Sequence, residues 1–159
     1  MKKLGLVVFI LLGGLRVNAQ IGKVYDLLER LEERIQLGRQ HLDSVSLSDK
    51  KFVLIKDFED HIERQFIIFK TKSVTYVEVF DDKQNGQSSS NIFMGDVVRK
   101  KDAVSVRLTT LENRRLPIPM SKNLIIAKQG ELLYLVDANT KDRWIDQEFF
   151  EKQQNKKKQ

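Results

Sequence analysis

The sequence predicts an α+β domain, with an N-terminal helical hairpin, an antiparallel sheet of five or six strands and a C-terminal helix closing one face. Three observations predict it. Apolar residues recur at helical spacing from Ile21 to Ile35 and again from Phe52 to Phe66, β-branched and aromatic residues crowd the stretch from Ile67 to Phe80, and Trp144, Ile145, Phe149 and Phe150 gather again near the C-terminus.

A leader stands ahead of the hairpin. Lys2 and Lys3 precede an apolar run from Leu4 to Leu15, and Val17, Asn18 and Ala19 then supply small or β-branched side chains, the order of a secretory signal peptide over residues 1–19. The run ends at Arg16, well short of the roughly 20 apolar residues that cross a bilayer. The mature chain is therefore expected to begin at Gln20 and to keep no transmembrane span. The short basic start, the Ala19–Gln20 junction and the lack of an Asn-X-Ser/Thr sequon after it point to bacterial export, into the periplasm or the extracellular space. Residues 20–153 are expected to form one domain, and residues 154–159 a basic disordered tail.

The first helix is read from Ile21, Val24, Leu28, Leu31 and Ile35, which form one apolar stripe ending near Gly38, with Asp26, Glu29, Arg30 and Glu33 on the other faces. Residues 43–49 are polar and serine-rich, and Ser48 or Asp49 can cap a second helix over about 49–65. Phe52, Ile55, Phe58, Ile62 and Phe66 fall on one side of that helix. Strands are expected at about 72–81, 92–100, 103–111, 116–119, 123–128 and 131–136. Residues 82–91, with Asn85, Gly86 and three serines, make the most exposed loop. Gln129 and Gly130 fit a two-residue hairpin turn. Pro117 and Pro119 remove two backbone donors, so their segment is expected at a sheet edge. The closing helix spans about 142–153. The expected core comprises Phe52, Phe58, Phe66, Val104, Val106, Leu108, Ile125, Leu133, Leu135 and Trp144.

Charge excludes more than it suggests. The chain carries 28 basic and 22 acidic residues, for a net +6, but Lys2, Lys3 and Arg16 lie in the leader and Lys156, Lys157 and Lys158 in the tail. Residues 20–155 thus balance 22 bases against 22 acids, which argues against nucleic-acid binding. There is no cysteine, so disulfides, a thiolate nucleophile, thiolate metal sites and a lipidated cysteine are all excluded.

The catalytic inventory is thin. His41 and His61 are the two histidines. Asp57 and His61, four apart, would share a helix face pointing to solvent, and zinc has no third histidine or cysteine to complete a ligand set. Asp81, Asp82, Asn85 and Ser88 lack the spacing of a calcium loop. No Gly-X-Ser-X-Gly elbow and no glycine-rich phosphate loop occurs. No metal and no cofactor is expected. Arg99, Lys100 and Lys101, together with Arg114 and Arg115, could form a cationic lip for an anionic glycan, lipid headgroup or acidic partner if their turns share one rim, or else protect sheet edges.

Antiparallel strands capped by a C-terminal helix that carries the single tryptophan resemble the element order of pleckstrin-homology-like domains. A helix followed by a curved sheet is similar to cystatin-like or nuclear-transport-factor-like folds. Element order implies no ligand. The sequence favours a non-enzymatic exported interaction or assembly domain of a bacterial cell envelope. It would hold another envelope or exported protein through Val24, Leu28, Leu31 and Ile35 or through the edge at Pro117 and Pro119. A small-ligand or glycan-binding module is the first alternative, and a hydrolase using His41 or His61 the second. The oligomeric state is not set by these features.

Overall fold

A computed structural model describes residues 42–156, with side-chain surroundings defined to residue 152. It overturns the α+β expectation. Eight strands form a closed antiparallel barrel in which each strand pairs with its neighbours in sequence and the last returns to the first. They are β1 (Lys51–Asp57), β2 (His61–Phe69), β3 (Ser73–Asp82), β4 (Ser88–Lys100), β5 (Ala103–Leu111), β6 (Arg114–Gln129), β7 (Leu132–Asp137) and β8 (Arg143–Asp146), followed by helix α1 (Gln147–Lys156).

The largest correction concerns the second helix of the predicted hairpin. Residues 49–65 form β1 and most of β2, joined by a turn at residues 58–60 and paired from Lys51↔Ile68 to Asp57↔Ile62. Phe52, Val53, Leu54 and Ile55 are all buried. A strand buried on both faces shows no alternation, so its apolar run can pass for a helix face. The predicted first helix, with Val24, Leu28, Leu31 and Ile35, lies outside the described residues, as do the leader and His41.

The remaining strands track their side-chain pattern. In β5, Val104, Val106 and Leu108 are at most 1% exposed while Ser105 and Arg107 face out. Apolar inside and polar outside is the reverse of a lipid-facing strand. Ser88, Ser89 and Ser90 open β4, so the expected 82–91 loop shrinks to residues 83–87. Asp82 shapes that turn by accepting bonds from the backbone N–H groups of Gln84 at 2.7 Å and Asn85 at 3.2 Å. The two segments expected at 116–119 and 123–128 belong to one strand, β6. Its register against β5 slips between Leu108 and Thr110, so residues 116–119 bulge out of the ladder. The β6–β7 turn falls on Gly130 and Glu131, one residue later than expected, with Gly130 supplying a φ of +56°. The β5–β6 turn places both Glu112 and Asn113 at positive φ, which matches the twist of its strands.

Residues expected in the closing helix divide between two elements. Trp144 and Ile145 lie on β8, and α1 starts at Gln147, where the Asp146 carboxylate accepts from the Glu148 N–H at 3.0 Å and caps it. α1 continues to Lys156, into the segment assigned to the tail. The likeness to pleckstrin-homology-like domains needed a tryptophan on that helix, and the other likeness needed a helix before the sheet where β1 and β2 stand.

Register fixes the inside. Phe52, Ile67, Phe69, Val74, Tyr76, Val104, Val106, Leu108, Leu124, Leu135 and Trp144 all point inward and are less than 2% exposed. The expected core holds except for Phe58, which is 43% exposed, and Ile125, which is half-buried on the outer face. One end of the barrel is stoppered. Leu42 and Leu47 are buried there, and the Arg99 guanidinium donates to the carbonyls of Leu42, at 2.6 Å, and Val45. The turns at residues 58–60, 83–87, 112–113 and 138–142 ring the opposite, open end.

Candidate functional site

At the open end the inward side chains change character, one register row at a time. The row Ile67–Tyr76–Phe93 on β2, β3 and β4 is buried and closes the core. Above it comes Gln65–Glu78–Asn91, and above that Glu63–Phe80–Ser89. These six side chains border a recess of about 180 Å³. Adjacent strands stand about 4.8 Å apart, so the middle row sets an amide, a carboxylate and an amide at that spacing across a concave wall. Gln65, Asn91 and Ser89 make no side-chain hydrogen bond to any described residue. A filled barrel normally continues its apolar layers to the rim, so this row breaks the packing pattern at one place.

The buried row next to the recess is electrostatically organised. The Tyr76 hydroxyl donates to Glu78 Oε1 at 2.9 Å. Burial first, then the charge and hydrogen bond of Glu78 and the charges of Asp142 and Glu63, push the Tyr76 phenol well above the usual tyrosine range. The Lys122 ammonium lies 4.6 Å from the centre of the Tyr76 ring and 5.5 Å from that of Trp144, attracted by both π faces. Trp144 Nε1 is buried without an acceptor. Lys56 reaches Asp142 at 2.9 Å and ties β1 to the turn after β7.

His61 caps the rim. Its ring is stacked between Phe58 at 4.5 Å and Phe80 at 4.6 Å. Its Nδ1 donates to Asp60 at 2.6 Å, which holds the Asp60 carboxyl below the usual range, and its Nε2 stands 3.5 Å from Glu63. His61 therefore sits on a strand at a mouth, not on an open helix face. No serine or threonine hydroxyl hydrogen-bonds to it among the described residues, so it has carboxylate neighbours without a nucleophile in reach. Asp57 bonds Lys83 at 2.5 Å, away from the imidazole.

The cationic lip is not assembled. Arg99, Lys100 and Lys101 flank the β4–β5 turn at the stoppered end, whereas Arg114 and Arg115 begin β6 at the open end. The length of β5, about 30 Å at 3.3 Å per residue, separates them. Arg99 is moreover committed to the stopper. Asp81 and Ser88 are also engaged, Asp81 with Arg64 at 2.5 Å and Ser88 with Asp81 at 2.6 Å. No group of three or more histidine or acidic residues gathers as a metal site among the described residues.

Pro117 and Pro119 lie in the β6 bulge, outside the ladder with β5. β7 pairs with β6 only from Leu124 onward, so among the described residues Arg114, Arg115 and residues 120–123 have β5 on one side and no strand on the other, while residues 116–119 are paired on neither side. There Ile118 is 80% and Met120 39% exposed. The recess residues Glu63, Gln65, Glu78, Phe80 and Asn91 were not singled out by sequence reasoning. The signal available was alternation, with His61, Glu63 and Gln65 interleaved with Ile62, Arg64 and Phe66.

Comparison with protein-family models, with curated proteins and with solved structures returned no match.

Proposed function

We propose that the protein is a non-enzymatic, exported interaction or assembly domain of a bacterial cell envelope that binds another exported protein along the open edge of β6. The observation carrying this reading is the upper half of β6, which pairs with β5 but with no described strand on its other side, and where Ile118 and Met120, two residues apart, stand exposed at a proline bulge. A strand with one side unpaired and alternate exposed apolar residues suits strand addition, in which backbone bonds supply affinity and the side chains supply specificity. Prolines and bulges also blunt edges against indiscriminate pairing, so Pro117 and Pro119 would restrict which strand can join.

Site-specific photocrosslinking in the expressing host tests the reading. A photoreactive residue at position 118 is expected to give one discrete crosslinked partner in the exported fraction, while the same residue at Ser105, exposed on the outer face of β5, gives none. Ile118→Asp should abolish capture through a second probe at position 120. Equal capture at 105 and 118, or none at 118, would refute it.

A further inference from the structure

The recess at the barrel mouth stands apart from the β6 edge and has its own chemistry. We infer that it binds a single uncharged pyranose unit of a glycan, with the sugar ring lying against Phe80 and its hydroxyls meeting Gln65, Glu78, Asn91 and Ser89.

Four observations converge on that ligand class. The recess holds about 180 Å³, below the roughly 300 Å³ where drug-sized pockets begin, so it fits one ring and not a chain segment. Its wall mixes hydrogen-bonding senses. Gln65 and Asn91 each offer an amide donor and acceptor, Ser89 a hydroxyl, and Glu63 and Glu78 acceptors. Sugar hydroxyls also both donate and accept, and planar amides and carboxylates can bridge neighbouring ones. Phe80 is 43% exposed at the edge of this polar wall and stacks on His61. The tandem rings give a stiff apolar platform of the kind that accepts the C–H face of a pyranose.

Charge excludes the nearest competitors. Glu63 and Glu78 repel phosphates, carboxylates and acidic sugars, while Arg64 on the wall is held by Asp81 and Lys56, the register neighbour of Glu63, by Asp142. An ammonium would use the carboxylates but leave the donors of Gln65, Asn91 and Ser89 idle. Glu78 already accepts from Tyr76 and Glu63 lies beside His61 Nε2, which orients both carboxylates without exhausting their oxygens. Tyr76 and Phe93, in the next register row, are buried and do not line the recess, so bound sugar would stop at the middle row.

Saturation-transfer NMR on the full chain tests this, using methyl glycosides of glucose, galactose, mannose and N-acetylglucosamine, with methyl glucuronide and glucosamine as charged controls. At least one neutral glycoside should receive saturation. Its affinity should fall about tenfold, the loss of one well-placed contact, in both Phe80→Ala and Asn91→Ala. Methyl glucuronide should bind more weakly than its neutral counterpart. Asn91 is exposed and makes no internal bond, so its variant keeps the test valid if Phe80→Ala fails to fold. Three results would overturn the inference, namely no transfer to any neutral glycoside, an affinity that the Asn91 substitution leaves unchanged, or binding of glucosamine alone, which would mark an ammonium site.

Discussion

Gly95→Ala isolates a steric demand from a conformational one. Gly95 faces inward on β4, opposite Val74 and Leu108, where the β4–β5 register shifts. A methyl group there would sit 1.9 Å from the Arg107 carbonyl oxygen and 2.7 Å from Leu108 Cα. Both neighbours are backbone, so no side chain can swing away and the two strands must part. Overpacking of this kind costs about 1–3 kcal/mol, and a ladder bond broken by the separation adds about 1 kcal/mol. The expected destabilisation is therefore about 2–4 kcal/mol, a large share of the roughly 5–15 kcal/mol available to a domain. In a urea titration with a slope near 2 kcal/mol per molar, the midpoint should fall by about 1–2 M. Gly86→Ala is the control. Gly86 has a φ of +68° and nothing within 4 Å of the added carbon, so it bears only the left-handed backbone penalty of about 1–2 kcal/mol. If Gly95→Ala unfolds no earlier than Gly86→Ala, the close crossing of β4 and β5 is not what requires glycine.

Asp146→Ala removes both the Lys50 pair at 3.0 Å and the cap on α1, and should cost about 3 kcal/mol in the same titration, whereas Asp146→Asn keeps a capping acceptor and should cost about half as much. Equal losses would show that the cap contributes nothing. Tyr76 predicts the alkaline limit. Its folded pKa lies above the unfolded value near 10, so its contribution is complete below about pH 10 and is lost as pH rises towards the folded value. Absorbance titration of phenolate formation should show one tyrosine ionising only with unfolding, and Tyr76→Phe should flatten the alkaline fall in stability. A smooth titration of every tyrosine before unfolding would contradict this assignment.

Most of the sheet between residues 73 and 137 was legible, because β-branched and aromatic residues mark its strands even where, as in β3 and β7, both faces are buried. β5 matches its expected bounds, since Val104, Val106 and Leu108 alternate with Ser105 and Arg107. β1 and β2 were illegible for two separate reasons. Burial on both faces erased alternation in β1, and in β2 the inward positions 61, 63 and 65 are polar, which leaves Ile62 and Phe66 to suggest a helical step. The second failure coincides with the recess, as expected where local pattern yields to a binding role. The break in pairing at Pro117 and Pro119 was legible because missing donors are visible in sequence, but the bulge that contains them was not. The cationic lip was not, because whether two turns share a rim depends on strand parity, which an uncertain strand count leaves open.

The ring is held shut by a short stitch. β8 meets β1 through only two register pairs, Phe52↔Asp146 and Val53↔Ile145, while β2 and β3 share nine. Amide exchange should therefore be fastest at β8 and the facing side of β1, and slowest along β2 and β3. Parting there would turn the cylinder into a sheet with two bare margins, each shaped to receive the other. Two molecules opened together could exchange β8 and α1, so the weakest join in the monomer is also its most direct route to a swapped dimer.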